Sequence, residues 1–221
     1  MKQFYNIFSD DKVSTMWTQL AWSHIRLLFS LDYDSINYYI QIIIEKHLSV
    51  RELETKLKSK EYERIPLDTR IKLIKEESVA IKELIPNPII IRNNYNYKII
   101  PEKVLQRIIL EDISSFLKEL GPGFTYVDNE YKIKIGERYN YIDLLLFNIE
   151  YNCYVVVELK VTELKKEHIG QIQLYMNYID DNLKKITQDK TIGIIICKQD
   201  NKYVIKYCSN DRIIARVYQL A

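Results

Sequence analysis

The stretch YIDLLLFNIEYNCYVVVELKV, Tyr141 to Val161, constrains the fold more than any other part of this 221-residue chain. Two runs of branched and aromatic residues, each of strand length, flank a polar turn near Glu150–Asn152. That pattern reads as neighbouring buried strands. Three residues break it: Asp143, Glu158 and Lys160. Strand side chains alternate between faces, so Glu158 and Lys160, two apart, share one. Asp143 lies on the preceding strand, fifteen positions before Glu158, and a hairpin of this length brings the two acids together near the strand ends.

The flanking segments extend the pattern. EYKIKIGERYNYIDLLLFN reads as two strands joined at a turn on Gly136, and CYVVVELKV as a third. Before them, PEKVLQRIILEDISSFLKELG reads as one helix, with Pro101 at its start and Gly121 at its end. After them, KKEHIGQIQLYMNYIDDNLKKI is a helix with Ile169, Ile172, Met176, Ile179 and Leu183 on one stripe. TIGIIICK, KYVIKYC and IIARVYQ read as further strands.

The first part of the chain is helical in pattern. STMWTQLAWSHIRLLFSL places Met16, Leu20, Ile25, Leu28 and Leu31 near one stripe, with Trp17 and Trp22 expected in the core. DYDSINYYIQIIIEKHL has Asp34 or Ser35 as its N-cap candidate. SVRELETKLKSKEYERI opens with Ser49 three residues before Glu52, the spacing of a capping box, and Pro66 closes it. PNPIIIRNNYNYKIIP is punctuated by Pro and Asn and reads as a linker. The expected organisation is α/β: an all-helical region over 1–85, a linker over 86–101, and a mixed central sheet flanked by helices over 102–221.

A composition of 47% hydrophobic and 28% charged residues suits a folded core, and a net charge of +2 gives no bulk argument for a nucleic-acid partner. Cys153, Cys197 and Cys208 sit in apolar, strand-like contexts without CxxC spacing, so buried thiols are expected rather than disulfides or zinc. MKQFYNIFSDDK lacks the apolar centre of a signal peptide, and no apolar run reaches the length of a membrane span. The expectation is a cytoplasmic protein with no membrane association.

Two carboxylates side by side in an apolar sheet are costly unless a cation relieves them. Two acids, a backbone carbonyl and waters make an oxygen-only magnesium site, and Lys160 would then lie within reach of whatever the ion binds. That set suits phosphodiester hydrolysis: an ion acidifies water and neutralises phosphate charge, while an ammonium orients the water or stabilises developing charge. The plainer reading is a solvated Glu158–Lys160 pair at a strand end with Asp143 in a turn. The apolar runs on both sides and the helix that follows argue against it.

Asp143, Glu158 and Lys160, as D-x(14)-E-x-K on adjacent strands, resemble the motif of the PD-(D/E)xK nuclease superfamily. Gln171 and Tyr175, four apart on one helix face, resemble the Q-x-x-x-Y pattern of its RecB-like branch. FLKELGPGFTYV, YIDLLLFN, CYVVVELK, GQIQLYMNYIDD and TIGIIICK are together similar to a bacterial family of PDDEXK nucleases. QLAWSHIRLLF and SVRELETKL resemble that family's helical N-terminal domain of unknown function.

The resemblance implies a restriction-endonuclease-like core over 102–221 and Mg2+-dependent hydrolysis of DNA, with Mn2+ as a substitute ion. It implies Asp143, Glu158 and the Leu159 carbonyl as metal ligands. Lys160 and Gln171 join the two acids in catalysis, and Gln171 and Tyr175 contact substrate. It also implies DNA or partner contact by the helical region, and homo-oligomerisation is a state such nucleases use. The family often carries a Glu on the helix before the sheet, where this chain has Gln106; Glu102 and Glu111 are the acids that could replace it. The family's DLLFYH is DLLLFN here. A DNA-binding or assembly module on a nuclease fold, with weak or no turnover, is the alternative.

Other polar residues carry weaker patterns. His24 reads as a core or cap histidine, and His168 as a surface residue near the start of the Gln171 helix. Lys46, Arg51, Lys56, Lys58, Lys60 and Arg64 are diluted by Glu52, Glu54, Glu61 and Glu63, so a solvated face with i, i+4 pairs is the default and a DNA-tracking face the sharper idea.

Overall fold

The computed structural model describes residues 20–74, 79–93, 100–208 and 210–221. The chain divides into two compact units, Met1–Ala80 and Ile81–Ala221. Met16 and Trp17 lie outside the described residues.

The described part of the first unit is helical: α1 Trp22–Leu28, α2 Tyr33–Lys46, α3 Val50–Lys58, α4 Glu61–Arg64 and α5 Leu67–Ile74. Its core joins Leu20, Leu28, Ile36, Tyr39, Ile40, Ile43, Leu53 and Tyr62. Ser49 caps α3 reciprocally with Glu52, as its spacing predicts. The cap of α2 is Asp32, not Asp34 or Ser35; its carboxylate accepts from the Ser35 amide, which drags its pKa below the ordinary 3.8. Trp22 is exposed and packs edge-on against Phe29 rather than in the core. In the basic stretch, Lys56 pairs with Glu61, and the Arg64 guanidinium donates to the Ser59 carbonyl.

The second unit runs α6 Ile81–Leu84, β1 Ile89–Ile91, α7 Glu102–Glu111, α8 Ile113–Leu120, β2 Phe124–Ile135, β3 Arg138–Asn148, β4 Cys153–Glu163, α9 Lys166–Asn182, β5 Asp189–Gln199, α10 Lys202–Cys208 and β6 Ile213–Leu220. Six strands form one mixed sheet in the order β1-β6-β5-β4-β3-β2. β2, β3 and β4 pair antiparallel, and β4, β5, β6 and β1 pair parallel. One face carries α7 and α8, with Leu105, Ile109, Phe116 and Leu120 against Leu144, Val155, Val157, Leu159 and Ile194. The other carries α9, with Ile169, Ile172, Met176 and Ile179 against Ile142, Leu145, Val156 and Ile195. Burial on both faces explains why β4 and β5 read as continuous apolar runs.

Several sequence expectations change. Ile89–Ile91, inside the expected linker 86–101, is an edge strand paired to Tyr218–Leu220. PEKVLQRIILEDISSFLKELG is two helices, because Asp112 leaves the helical conformation and caps α8 by accepting from the Ser115 amide. KYVIKYC is helix α10, not a strand: its tyrosines and lysines face solvent, and Val204 alone packs on the α9 cluster. Cys208 on α10 is exposed, whereas Cys153 and Cys197 are buried thiols.

Candidate active site

The three charged residues lie where the sheet splits. The β3–β4 ladder runs from Asn148↔Cys153 to Leu144↔Val157 and stops. Beyond it β3 continues with β2 alone, and β4 continues with β5. Asp143 and Glu158 are the first residues past the last rung, one on each diverging strand. Two main-chain groups in this fork take side-chain partners. The Leu159 amide donates to Asp143 Oδ2 at 2.8 Å, and Gln106 Nε2 on α7 donates to the Asp143 carbonyl at 2.9 Å.

Glu158 is 1% exposed, and its Oε1 has no hydrogen-bond partner among the described residues. Its other oxygen lies 3.3 Å from Lys160 Nζ. Burial, then the neighbouring Asp143 carboxylate, pushes the Glu158 pKa from the ordinary 4.5 up to about 8. Asp143 is also raised, by burial, against the pull of the Leu159 amide and the Lys160 charge. Lys160 is a nearly buried ammonium. Burial works against its charge, but Glu158, Glu102 and Asp143 outweigh it and hold its pKa above 10.5. Glu102 Oε2, on α7 one turn before Gln106, lies 3.7 Å from Lys160 Nζ. Glu102 is thus the helix acid that reaches the site, and Gln106, 8% exposed, anchors a strand instead.

On α9, Gln171 Nε2 donates to the Tyr175 hydroxyl at 3.0 Å. Tyr175 is buried, and its hydroxyl pKa is raised by burial first and also by the Glu158 charge. His168, in the first turn of α9, is half-buried and accepts the Lys165 amide at Nδ1, 3.2 Å. Burial and then Lys160 lower its pKa, which favours the neutral ring. Sequence reasoning did not single out Gln106 as a strand anchor; its only signal was a polar residue on the buried stripe of an amphipathic helix.

The donor set fits a hard divalent cation. Asp143 and Glu158 supply oxygens from both sides of the fork, and the Glu158 Oε1 orphan is a buried acceptor that protein leaves unused. No group of three His, Cys, Asp or Glu side chains suited to an ion occurs among the described residues, so the remaining ligands would be main-chain oxygen and water.

A mixed sheet whose parting strands present Asp, then Glu-x-Lys, between flanking helices defines the PD-(D/E)xK nuclease class. Within it, a model of the YhcG PDDEXK nuclease domain matches residues 90–220, and the chain belongs to that family. A model of the DUF1016 N-terminal domain matches residues 1–64. The Escherichia coli (strain K12) protein "Putative nuclease YhcG" is 23% identical over 188 residues, covering 80% of this chain and 49% of that protein. The chain spans about half the length of this curated relative. Among solved structures, a repair endonuclease from Pyrococcus abyssi aligns with 55% of this chain and 47% of its own at 19% identity and a TM-score of 0.39. EndoMS in a double-stranded DNA complex aligns with 58% of this chain and 48% of its own, at 16% identity and a TM-score of 0.38. No helix among the described residues is long and apolar enough to cross a membrane.

Proposed function

We propose that this chain is a metal-dependent nuclease that hydrolyses DNA phosphodiester bonds, with Mg2+ as its ion and Mn2+ as a substitute. One observation carries the reading: the buried, unpartnered Glu158 Oε1 beside Asp143, with the Lys160 ammonium 3.3 Å from the second oxygen. Burying the Glu158 carboxylate beside the half-buried Asp143, with one acceptor left unfilled, is costly without a cation. Asp143, Glu158 and the Leu159 carbonyl are the proposed ligands. A divalent ion there supplies charge neutralisation at the phosphate and a more acidic water.

The chain's own residues do the rest. The ammonium of Lys160, kept charged by three carboxylates, donates to the attacking water or to a phosphate oxygen as negative charge develops. Gln171 presents its amide to the scissile phosphate and is steadied by the Tyr175 hydroxyl. The Leu159 amide and Gln106 fix Asp143 at both its carboxylate and its carbonyl, so the fork is organised before substrate arrives.

A second reading, a DNA-binding module without turnover, draws on Gln106 in the place of the family's helix acid. Cleavage of labelled linear, nicked and branched DNA with Mg2+ or Mn2+ separates the two. The nuclease reading expects the wild type to cut, Asp143→Ala to fail and Lys160→Ala to cut slower by about 100-fold or more. DNA retained without cleavage by any of the three proteins would replace it with the binding module.

A further inference from the structure

β2 and β3 continue past the sheet as a two-stranded ribbon. From Tyr131↔Ile142 to Ile135↔Arg138 they pair with each other, while β4 has no rung with β3 beyond Leu144. A turn on Gly136, at φ 59°, closes the end. The two faces of this ribbon differ in chemistry. Tyr131, Ile133 and Ile135 pack against the α9 cluster. The other face presents Lys132 opposite Tyr141 and Lys134 opposite Tyr139. Both tyrosines are more than half exposed, at 56% for Tyr139 and 53% for Tyr141. Lys132 Nζ stands 3.9 Å from the centre of the Tyr139 ring. Two positions further along β3 from Tyr141 is Asp143, about 7 Å of strand away.

We propose that this ribbon face is a docking surface for an unpaired DNA strand leading into the fork, with phosphates on Lys132 and Lys134 and bases stacked on Tyr139 and Tyr141. The proposal rests on the nuclease reading for the identity of the partner and adds which form of DNA is preferred. Two aromatic rings more than half exposed on a paired strand bury little apolar surface beyond the Lys132 contact on Tyr139, and every base offers a π-face to them. Lysines on the neighbouring strand, one opposite each ring, supply the charge that a phosphate backbone needs. A closed duplex keeps its bases stacked on one another and would leave the rings unused. Glu130 and Glu137 are the acids closest along the ribbon, one near Asp143 and one at the turn, and they bound the basic-aromatic face at its two ends.

The test is fluorescence anisotropy with the full chain in EDTA, so that binding is read without cleavage. The probes are a labelled oligothymidylate and a blunt duplex of equal length. The wild type is expected to bind the oligothymidylate tighter. Tyr139→Ala and Tyr141→Ala should each weaken it about five-fold or more, while Tyr139→Phe and Tyr141→Phe stay near wild type. Lys132→Gln with Lys134→Gln should reduce the salt slope by about 1.4, as for two phosphate contacts to a single strand. Equal affinity for duplex, or alanine variants that bind like wild type with an unchanged circular dichroism spectrum, would overturn the assignment. Tyrosine-dependent binding by a protein that cuts nothing would keep the ribbon proposal and remove the nuclease reading.

Discussion

The side-chain amide of Gln106 donates to the main-chain oxygen of Asp143, so helix α7 holds strand β3 at the residue where β3 leaves β4. The same helix, one turn earlier, places Glu102 against Lys160 on the other strand. One amphipathic helix therefore sets the width of the fork from both sides. Gln106→Leu removes the donor and leaves a carbonyl unsatisfied, at about 1–3 kcal/mol of stability. Gln106→Glu also loses the donor and adds a charge beside two carboxylates. Thermal unfolding should rank wild type above both variants without metal, and Mg2+ should recover more of the loss in the Glu variant than in the Leu variant.

Glu158 gives the site a pH dependence whose sign is fixed by its burial. Its pKa is 4.5 when solvated and about 8 in the fold, so the folded state holds a proton that the unfolded state has released. Stability from this group is fully present below pH 4.5 and falls as pH rises toward 8. Asp143 is raised too and acts in the same direction, whereas the raised Lys160 begins to matter only above 10.5. Melting temperatures of the metal-free protein should decline between pH 5 and 8, and Glu158→Gln should flatten that decline. A bound divalent ion stabilises the ionised carboxylates, so Mg2+ should flatten it as well. A metal-free profile as flat as that of the Gln variant would contradict the burial argument.

The strands around the site were legible because burial on both faces leaves a continuous apolar run, against which one acid and one E-x-K stand out. The Ser49–Glu52 box was legible for the same reason that it works: its hydrogen bonds are local. What failed was set by distant contacts. Ile89–Ile91 looked like a linker because its pairing partner is β6, at the far end of the chain. KYVIKYC alternates well enough for a strand, yet it lies beside α9 with one residue, Val204, to bury, and local hydrogen bonding then favours about two turns of helix. Helical spacing puts Glu102, four residues before Gln106, on the Gln106 face and Glu111 well round from it, but that this face meets Lys160 is set by how α7 packs on the sheet.

Lys160 is the cation of the fork, and its removal should cost chemistry more than binding. Lys160→Ala should lower kcat by about 100- to 1,000-fold, the usual loss for one charge-stabilising donor. The carboxylates also lose their counter-charge, so the Glu158 pKa should rise further and the activity profile should shift to higher pH. Single-turnover cleavage across pH 6–9 measures both. An activity loss with an unmoved profile would leave Lys160 a catalytic donor but deny its electrostatic grip on Glu158.

Tyr175→Phe keeps the buried ring and deletes the hydroxyl that steadies Gln171. Fold stability should change by about 1 kcal/mol or less, since the bond is neutral and partly accessible. Cleavage should fall less than for Gln171→Ala, because the amide remains and only its orientation is loosened. Equal losses in the two variants would instead give the Tyr175 hydroxyl a contact of its own with substrate.

The contact between α9 and β5 depends on Gly193. A Cβ built there would lie 2.6 Å from Met176 Sδ and 2.7 Å from Ile172 Cδ1, so the helix packs on bare backbone at that point. Because Gln171 and Tyr175 ride on this helix, the glycine also fixes how closely they approach the fork. Gly193→Ala should destabilise by about 1–3 kcal/mol, the usual cost of overpacking a core. Part of the loss should return in the double variant with Met176→Ala, which vacates the clashing sulfur. Denaturant unfolding of the two single variants and the double variant gives the coupling directly. A positive recovery places the strain at this crossing. Additive losses would mean that α9 has shifted away from the sheet instead, and cleavage by Gly193→Ala should then fall with it.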